Sequence, residues 1–215
     1  MIQTQMKEWL TLLHIPTTSS LLALIVVGMS TPRSVNLEWL VWLLLEAFLM
    51  VGVASNCFDE IRGRPWKTSI SGCDLWSIAL GGYLLSTAIG VYLASRVGSW
   101  FLLFVGAWCF LVPAYSLELF GGRLHNEWTI GLAVFLSSLC SALIQSPVLT
   151  PQRLVISMVC GAIGFQGRRL YEKGKAAGKD HAGDAVARKY WHALSVGVFF
   201  IDITAVILVL GEIFL

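Results

Sequence analysis

A cluster of charged and amide side chains closes a long apolar segment of this 215-residue chain. It runs from Asn56 to Lys67 and contains the adjacent carboxylates Asp59 and Glu60. At the mouth of a membrane helix such a cluster could hold a diphosphate, a metal ion or a lipid headgroup, or it could only fix topology at the interface. On a helix the two carboxylates point about 100° apart, so one of them would face a cavity. Against apolar walls that carboxyl could act as an acid, although pairing of both with nearby cations at the interface is the alternative.

Two further acids lie within apolar segments, namely Glu46 and Asp202. Ionisable groups at membrane depth are costly and are therefore functional candidates. Asp202 could reach a central cavity and donate a proton, or it could form a structural hydrogen bond to a Ser, Thr, Trp or Asn on another helix. Trp108 lies in the middle of its segment, where it could stabilise a carbocation through its ring face or simply pack in the core.

The composition predicts an all-α integral membrane protein. Hydrophobic residues make up 56% of the chain, charged residues 13%, and the mean hydropathy is +0.73. We predict one transmembrane domain over 1–215, in which 1–14 is an interfacial lead-in and 56–74 and 167–191 are polar loops. The seven predicted spans lie near residues 15–31, 37–55, 75–94, 98–115, 128–147, 152–166 and 193–213.

The distribution of cations predicts the topology. With seven spans, twelve Lys and Arg residues fall on the side of the N-terminus and three on the other side. This bias indicates a cytosolic N-terminus and cytosolic polar loops, in the endoplasmic reticulum if the cell is eukaryotic. Cations on one membrane face favour lipid headgroups or a phosphorylated substrate over nucleic acid. The five cysteines lack CxxC spacing, which is typical of packing residues rather than of a disulfide or metal site.

Several segments resemble, in the same order, those of one protein family. The family is the UbiA superfamily of intramembrane prenyltransferases and related terpene cyclases, and its fungal members are the most similar. The resemblance covers nearly the whole chain. The segments are 14–18 (HIPTT), 65–72 (PWKTSISG), 115–116 (YS), 123–127 (RLHNE), 130–132 (IGL), 166–179 and 183–188 (GDAVAR).

The resemblance implies a UbiA-like helical bundle whose cavity takes an isoprenoid or prenylated small molecule among membrane lipids. Arg168, Arg169 and Lys173 could bind a phosphate without a metal, because guanidinium groups recognise phosphate in a bidentate manner, although retention of cations on the cytosolic side explains them equally well. The resemblance places the substrate-binding residues at Asn56, Arg64, Lys67, Tyr115, Arg123, Asn126, Arg168, Arg169, Glu172 and Lys173.

The chain departs from the family where the family binds magnesium. Asn56 and Glu60 can occupy the ends of the first aspartate-rich motif, but residues between them are missing. In the second motif, aspartates are replaced by Gly167, Leu170 and Gly174. Because Mg²⁺ needs several hard oxygen ligands, metal-driven ionisation of a diphosphate looks disabled. No cofactor is predicted, and Mg²⁺ is the alternative. Residues 179–184 (KDHAGD) superficially mimic a metal motif.

These observations predict an isoprenoid-handling enzyme of natural-product biosynthesis, either a terpene cyclase or a prenyltransferase. Cyclisation started by protonation, with Asp59, Glu60 or Asp202 as the acid, fits the lost metal ligands better than ionisation does. The alternative is an inactive UbiA-like scaffold that binds a lipid or a partner enzyme; protein partners are otherwise unknown. A transporter is disfavoured because intramembrane charges are few and no inverted repeat is detectable.

Overall fold

The structure is a computed structural model that describes residues 2–30, 35–63, 65–177 and 184–214. In these ranges every regular element is a helix, so the predicted all-α class is confirmed. The α-helices are α1 (Ile2–Leu12), α2 (Ile15–Met29), α3 (Leu37–Ala47), α4 (Asn56–Gly63), α5 (Gly72–Val97), α6 (Leu102–Ser116), α7 (Glu127–Gln145), α8 (Pro151–Ala177) and α9 (Asp184–Phe214).

Five helices in the described part of the chain are long and apolar enough to cross a membrane, which is compatible with an integral membrane protein. A sixth span would be formed if α1 and α2, which meet at a 46° bend, cross together. The predicted span at 152–166 lies in α8 and has no counterpart among these candidates. The five helices are Leu37–Gly63, Gly72–Val97, Ser99–Ser116, Glu127–Gln145 and Arg188–Val209.

The two predicted polar loops are shorter than the sequence indicated. Residues 56–63 are helical in α4, and the helix resumes at Gly72, so the first loop is limited to the segment between these helices. In the second case α8 continues to Ala177 and α9 begins at Asp184. Charged side chains on the outer turns of a helix can extend into water, so a polar segment can continue the helix of a span.

The described residues form two compact units. Unit 1 consists of residues 1–18 and 36–125, and unit 2 consists of residues 19–35 and 126–215. Each unit is described by itself below.

Unit 1 is organised by one continuous helix from Leu37 to Gly63. It begins at Asn36, whose side chain accepts the backbone N–H groups of Glu38 and Trp39 and so caps the first turn. Between α3 and α4 the helix widens into a π-helix over Phe48–Ser55. Such stretches are rare and often occur at functional sites, because they change the direction of the side chains that follow.

The core of unit 1 is built on the end of the π-helix and the start of α4. Ala54, Cys57 and Phe58 are buried at helical spacing, which places them on one face against Leu75 of α5 and Val112 of α6. Aromatic side chains pack around this cluster at half-buried positions. They are Trp9, Trp66, Tyr83 and Trp108.

In unit 2 the helices α7 and α8 pack closely at two glycines. A Cβ atom added at Gly131 would lie 3.1 Å from the carbonyl oxygen of Gly161, and one added at Gly161 would lie 2.9 Å from the carbonyl oxygen of Gly131. Small residues allow the two backbones to approach in this way, as they do in membrane helix pairs. The packing of α8 on α7 therefore depends on glycine at these two positions.

Candidate functional site

The polar residues of α4 divide into two groups according to the helix face on which they lie. On the first face, the Nδ2 of Asn56 donates hydrogen bonds to the carbonyl oxygens of Leu13 and Gly52, both at 3.0 Å. Thr18 Oγ1 also donates to the Leu13 carbonyl, at 2.7 Å. Asn56, predicted as a substrate ligand, is thus occupied by the backbone of its own unit.

The Leu13 carbonyl is available because the chain bends there. His14 adopts a left-handed backbone conformation (φ 42°), and the backbone N–H of Thr17 bonds to the His14 carbonyl instead of continuing the ladder to Leu13. Pro16 adds to the break because it has no N–H to donate. Asn56 and Thr18 therefore stabilise the bend between α1 and α2.

Glu60 lies on the same face as Asn56, one turn later, and is completely buried (0% exposed). Its Oε2 accepts the backbone N–H of Trp66 at 3.1 Å, and its Oε1 accepts the backbone N–H and the hydroxyl of Thr68 at 2.8 and 2.9 Å. A buried carboxylate with three donors is well satisfied. These bonds favour a structural role for Glu60, which holds the connection between α4 and α5.

The same connection is held from α1. Ser69 Oγ donates to both carboxylate oxygens of Glu8, at 2.8 and 2.9 Å. The ring centroids of His14 and Trp66 are 5.7 Å apart. Lys67, a predicted substrate ligand, is exposed at a left-handed backbone position (φ 52°), and the predicted ligand Arg64 lies outside the described residues.

Asp59 is half-buried on a different face of α4. One turn earlier, the Oγ of Ser55 lies 2.7 Å from the Oγ of Ser116, and three residues later, Arg62 Nε lies 3.4 Å from Glu118 Oε2. Ser55, Asp59 and Arg62 share a face by helical periodicity. Asp59 therefore lies on the helix face whose other two members contact Ser116 and Glu118, at and just after the C-terminal end of α6.

The segment after α6 has an unusual backbone. Glu118 and Phe120 have φ angles of 51° and 58°, and a left-handed conformation is uncommon for a residue as bulky as Phe. Such strain persists only when surrounding contacts enforce it, and it is found preferentially at functional sites. The candidate site therefore includes Asp59 and the left-handed residues Glu118 and Phe120.

Tyr115 and His125 close this segment. Their rings stack with centroids 4.4 Å apart at 22°, and His125 Nδ1 lies 3.0 Å from the Tyr115 carbonyl oxygen. Because a carbonyl can only accept, this contact requires the proton on Nδ1. Tyr115 was predicted to bind substrate and is buried, whereas the predicted ligand Arg123 is exposed. The role of His125 was missed, although it lies in the RLHNE segment, because a histidine next to Asn and Glu carries no spacing signal of its own.

The other predicted substrate ligands belong to unit 2, and several are engaged locally. Asn126 caps α7 by accepting the backbone N–H of Thr129 at 3.0 Å. Arg168 Nη2 lies 2.6 Å from Glu172 Oε1, so two predicted ligands pair with each other. Arg169 and Lys173 are exposed.

Asp202, the third predicted acid, lies in α9 and belongs to unit 2. Its Oδ2 accepts the hydroxyl of Ser19 on α2 at 2.8 Å, which is the interhelical hydrogen bond considered as the alternative to proton donation. Its Oδ1 is buried and makes no hydrogen bond with any described residue. The structural alternative thus has a direct contact in its favour.

The two residues that resemble the magnesium motif do not fit a magnesium ion. Asn56 directs its amide nitrogen at carbonyl groups, and both oxygens of Glu60 accept protein donors. Within the described ranges, no group of three or more His, Cys, Asp or Glu side chains could hold a metal. Most of the KDHAGD segment (residues 179–183) lies outside these ranges.

Comparisons with protein-family models, with curated proteins and with solved structures give no match to this chain.

Proposed function

We propose that this chain is an isoprenoid-handling membrane enzyme, a UbiA-like terpene cyclase or prenyltransferase with seven spans and a cytosolic N-terminus, in which Asp59 is the acid. The observation that supports Asp59 is the division of α4 into two faces. Asn56 and Glu60 are bound by the backbone of unit 1, whereas Asp59 lies on the face where Ser55 contacts Ser116 and Arg62 pairs with Glu118.

The chemistry needs one proton and no redox partner. The Asp59 carboxyl transfers its proton to a carbon–carbon double bond of the isoprenoid, which leaves a carbocation on the more substituted carbon. Attack by a second double bond closes a ring, and loss of a proton to a base ends the reaction, so that the product is an isomer of the substrate. The base then returns the proton through water to the carboxylate of Asp59, which restores the enzyme.

Aromatic side chains in the core of unit 1 can attract the carbocation that this reaction forms. The ring of Phe58 lies 5.8 Å from that of Trp76 and 6.4 Å from that of Tyr83, both in edge-on arrangements. The electron-rich faces of such rings attract cations. The fixed tautomer of His125 leaves Nε2 as its basic nitrogen, which suits it to accept the final proton.

The test is the variant Asp59→Asn, with Asp202→Asn as the matched control on the other predicted acid. Membranes containing each protein are incubated with prenyl diphosphates and prenylated aromatic substrates, with Mg²⁺ or with EDTA, and products are measured by mass spectrometry. We expect D59N to lower turnover by about 10²-fold or more while the protein still folds, and D202N to stay active. We also expect activity to persist in EDTA. Normal turnover by D59N, or loss of product in EDTA that Mg²⁺ restores, would contradict the proposal.

A scaffold without catalysis is the second candidate, and one observation favours it. Asn56 and Glu60, which stand at motif positions, make bonds that serve only the fold. A scaffold that keeps the binding site would be stabilised by a prenyl diphosphate in a thermal-shift measurement yet form no product. In that case D59N and the wild type would shift by the same amount.

A further inference from the structure

Glu46 is a buried carboxyl that neither the fold nor the proposed reaction uses. It lies in the last turn of α3, two residues before the π-helix begins at Phe48, and only 6% of the residue is exposed. The hydroxyl of Ser86 on α5 donates to the backbone carbonyl of Glu46 at 2.9 Å. No described residue forms a hydrogen bond or an ion pair with the Glu46 carboxyl itself.

The elements packed around Glu46 carry no cation at its depth. Its own helix has no other charged residue between Glu38 and Asp59, and α5 has none between Asp74 and Arg96. The whole of α6 is uncharged. The titratable side chains on the neighbouring stretch of α5 are Tyr83, which donates to the Cys109 carbonyl, and Tyr92, whose ring contacts Trp42.

An isolated carboxylate in such surroundings is very unfavourable, because nothing replaces its hydration. These surroundings favour the neutral carboxylic acid over the carboxylate. In that form it has an O–H donor, for which no described residue supplies an acceptor. Ser86 does not supply the acceptor, because its hydroxyl is directed at the backbone.

We propose that Glu46 is an acid site in the apolar part of unit 1, and that its O–H binds an oxygen acceptor on a lipid-soluble molecule or on a water that enters from the membrane. The adjacent π-helix supports a ligand at this position, since these distortions occur preferentially next to functional sites. The site is separate from Asp59, which lies more than three turns further along the helix, so it stands whether or not the chain is an isoprenoid cyclase.

The first experiment tests whether Glu46 is neutral. Dicyclohexylcarbodiimide is apolar and reacts with protonated carboxyl groups: the acid proton moves to a carbodiimide nitrogen, the carboxyl oxygen bonds to the central carbon, and the adduct rearranges to a stable N-acylurea. Wild type, Glu46→Gln and the exposed-site control Glu38→Gln are treated in membranes at neutral pH. We expect the adduct on the peptide containing Glu46 in wild type and E38Q, and its loss in E46Q.

The second experiment tests the bound acceptor by the infrared C=O stretch of the protonated carboxyl. The band assigned by its loss in E46Q should lie at the frequency of a hydrogen-bonded acid. Geranylgeraniol should shift it, and the oxygen-free hydrocarbon squalane should not, if a lipid-soluble molecule is the ligand. A hydrogen-bonded band that geranylgeraniol leaves unchanged, and that moves towards the free-acid frequency when the membranes are dehydrated, identifies water as the acceptor. No protonated-carboxyl band at neutral pH, or a band at the frequency of a free acid under all conditions, overturns the proposal.

Discussion

Glu60 and Glu46 lie on one continuous helix and are both buried, yet their surroundings differ completely. Glu60 accepts two backbone N–H groups and one hydroxyl, whereas the carboxyl of Glu46 has no bond with any residue that the structure describes. The first is an anchor for the chain that follows α4, and the second is a donor in need of an acceptor. Burial alone therefore does not distinguish a structural acid from a reactive one. The hydrogen-bond partners of the carboxyl group do.

The largest effect is expected from Glu60→Ala. The change removes the acceptor of three hydrogen bonds and leaves two backbone N–H groups unsatisfied in the connection between α4 and α5. We expect a loss of about 2–5 kcal/mol in the free energy of unfolding, measured by denaturant titration in detergent micelles. Glu60→Gln, which keeps one acceptor oxygen, should lose less. A change too small to measure in E60A would mean that Glu60 is not an anchor.

A smaller effect is expected from Asn56→Ala, which tests the other member of the same face. The variant loses two hydrogen bonds, but Thr18 still donates to the Leu13 carbonyl. The expected loss is about 1–2 kcal/mol in the free energy of unfolding. Combining it with Thr18→Val should cost more than the sum of the single changes, because the carbonyl is then left without either donor. Strict additivity would show that the bend does not depend on this carbonyl.

The smallest effect is expected from Glu46→Gln. A neutral acid and an amide have nearly the same shape, so the free energy of unfolding should change by about 0.5 kcal/mol or less. If Glu46 were instead an ion with a hidden partner, the same change would cost about 3–5 kcal/mol. The same denaturant titration decides between these outcomes, and the large loss would remove the contrast with Glu60.

The sequence was sufficient for the helical class and for most of the apolar segments. A membrane span is identified by its length and its apolar composition, neither of which depends on how the helices pack. It was not sufficient for the roles of Asn56 and Glu60. Their partners are backbone groups of Leu13, Trp66 and Thr68, and a backbone N–H or C=O leaves no trace in residue types. The predicted second span ends at residue 55, whereas the helix continues through α4 to Gly63. The charged residues of α4 continue the helix instead of ending it.

The widened helix at Phe48–Ser55 also sets the phase of everything that follows it. Each residue of an α-helix turns its successor by about 100°, so a chain one residue shorter in this stretch would rotate α4 by that angle. Glu60 would then stand where Asp59 stands now, and Asp59 would take the core position of Phe58. Which of the two neighbouring acids is bound by the backbone thus depends on the number of residues in the π-helix, which ends about one turn before them.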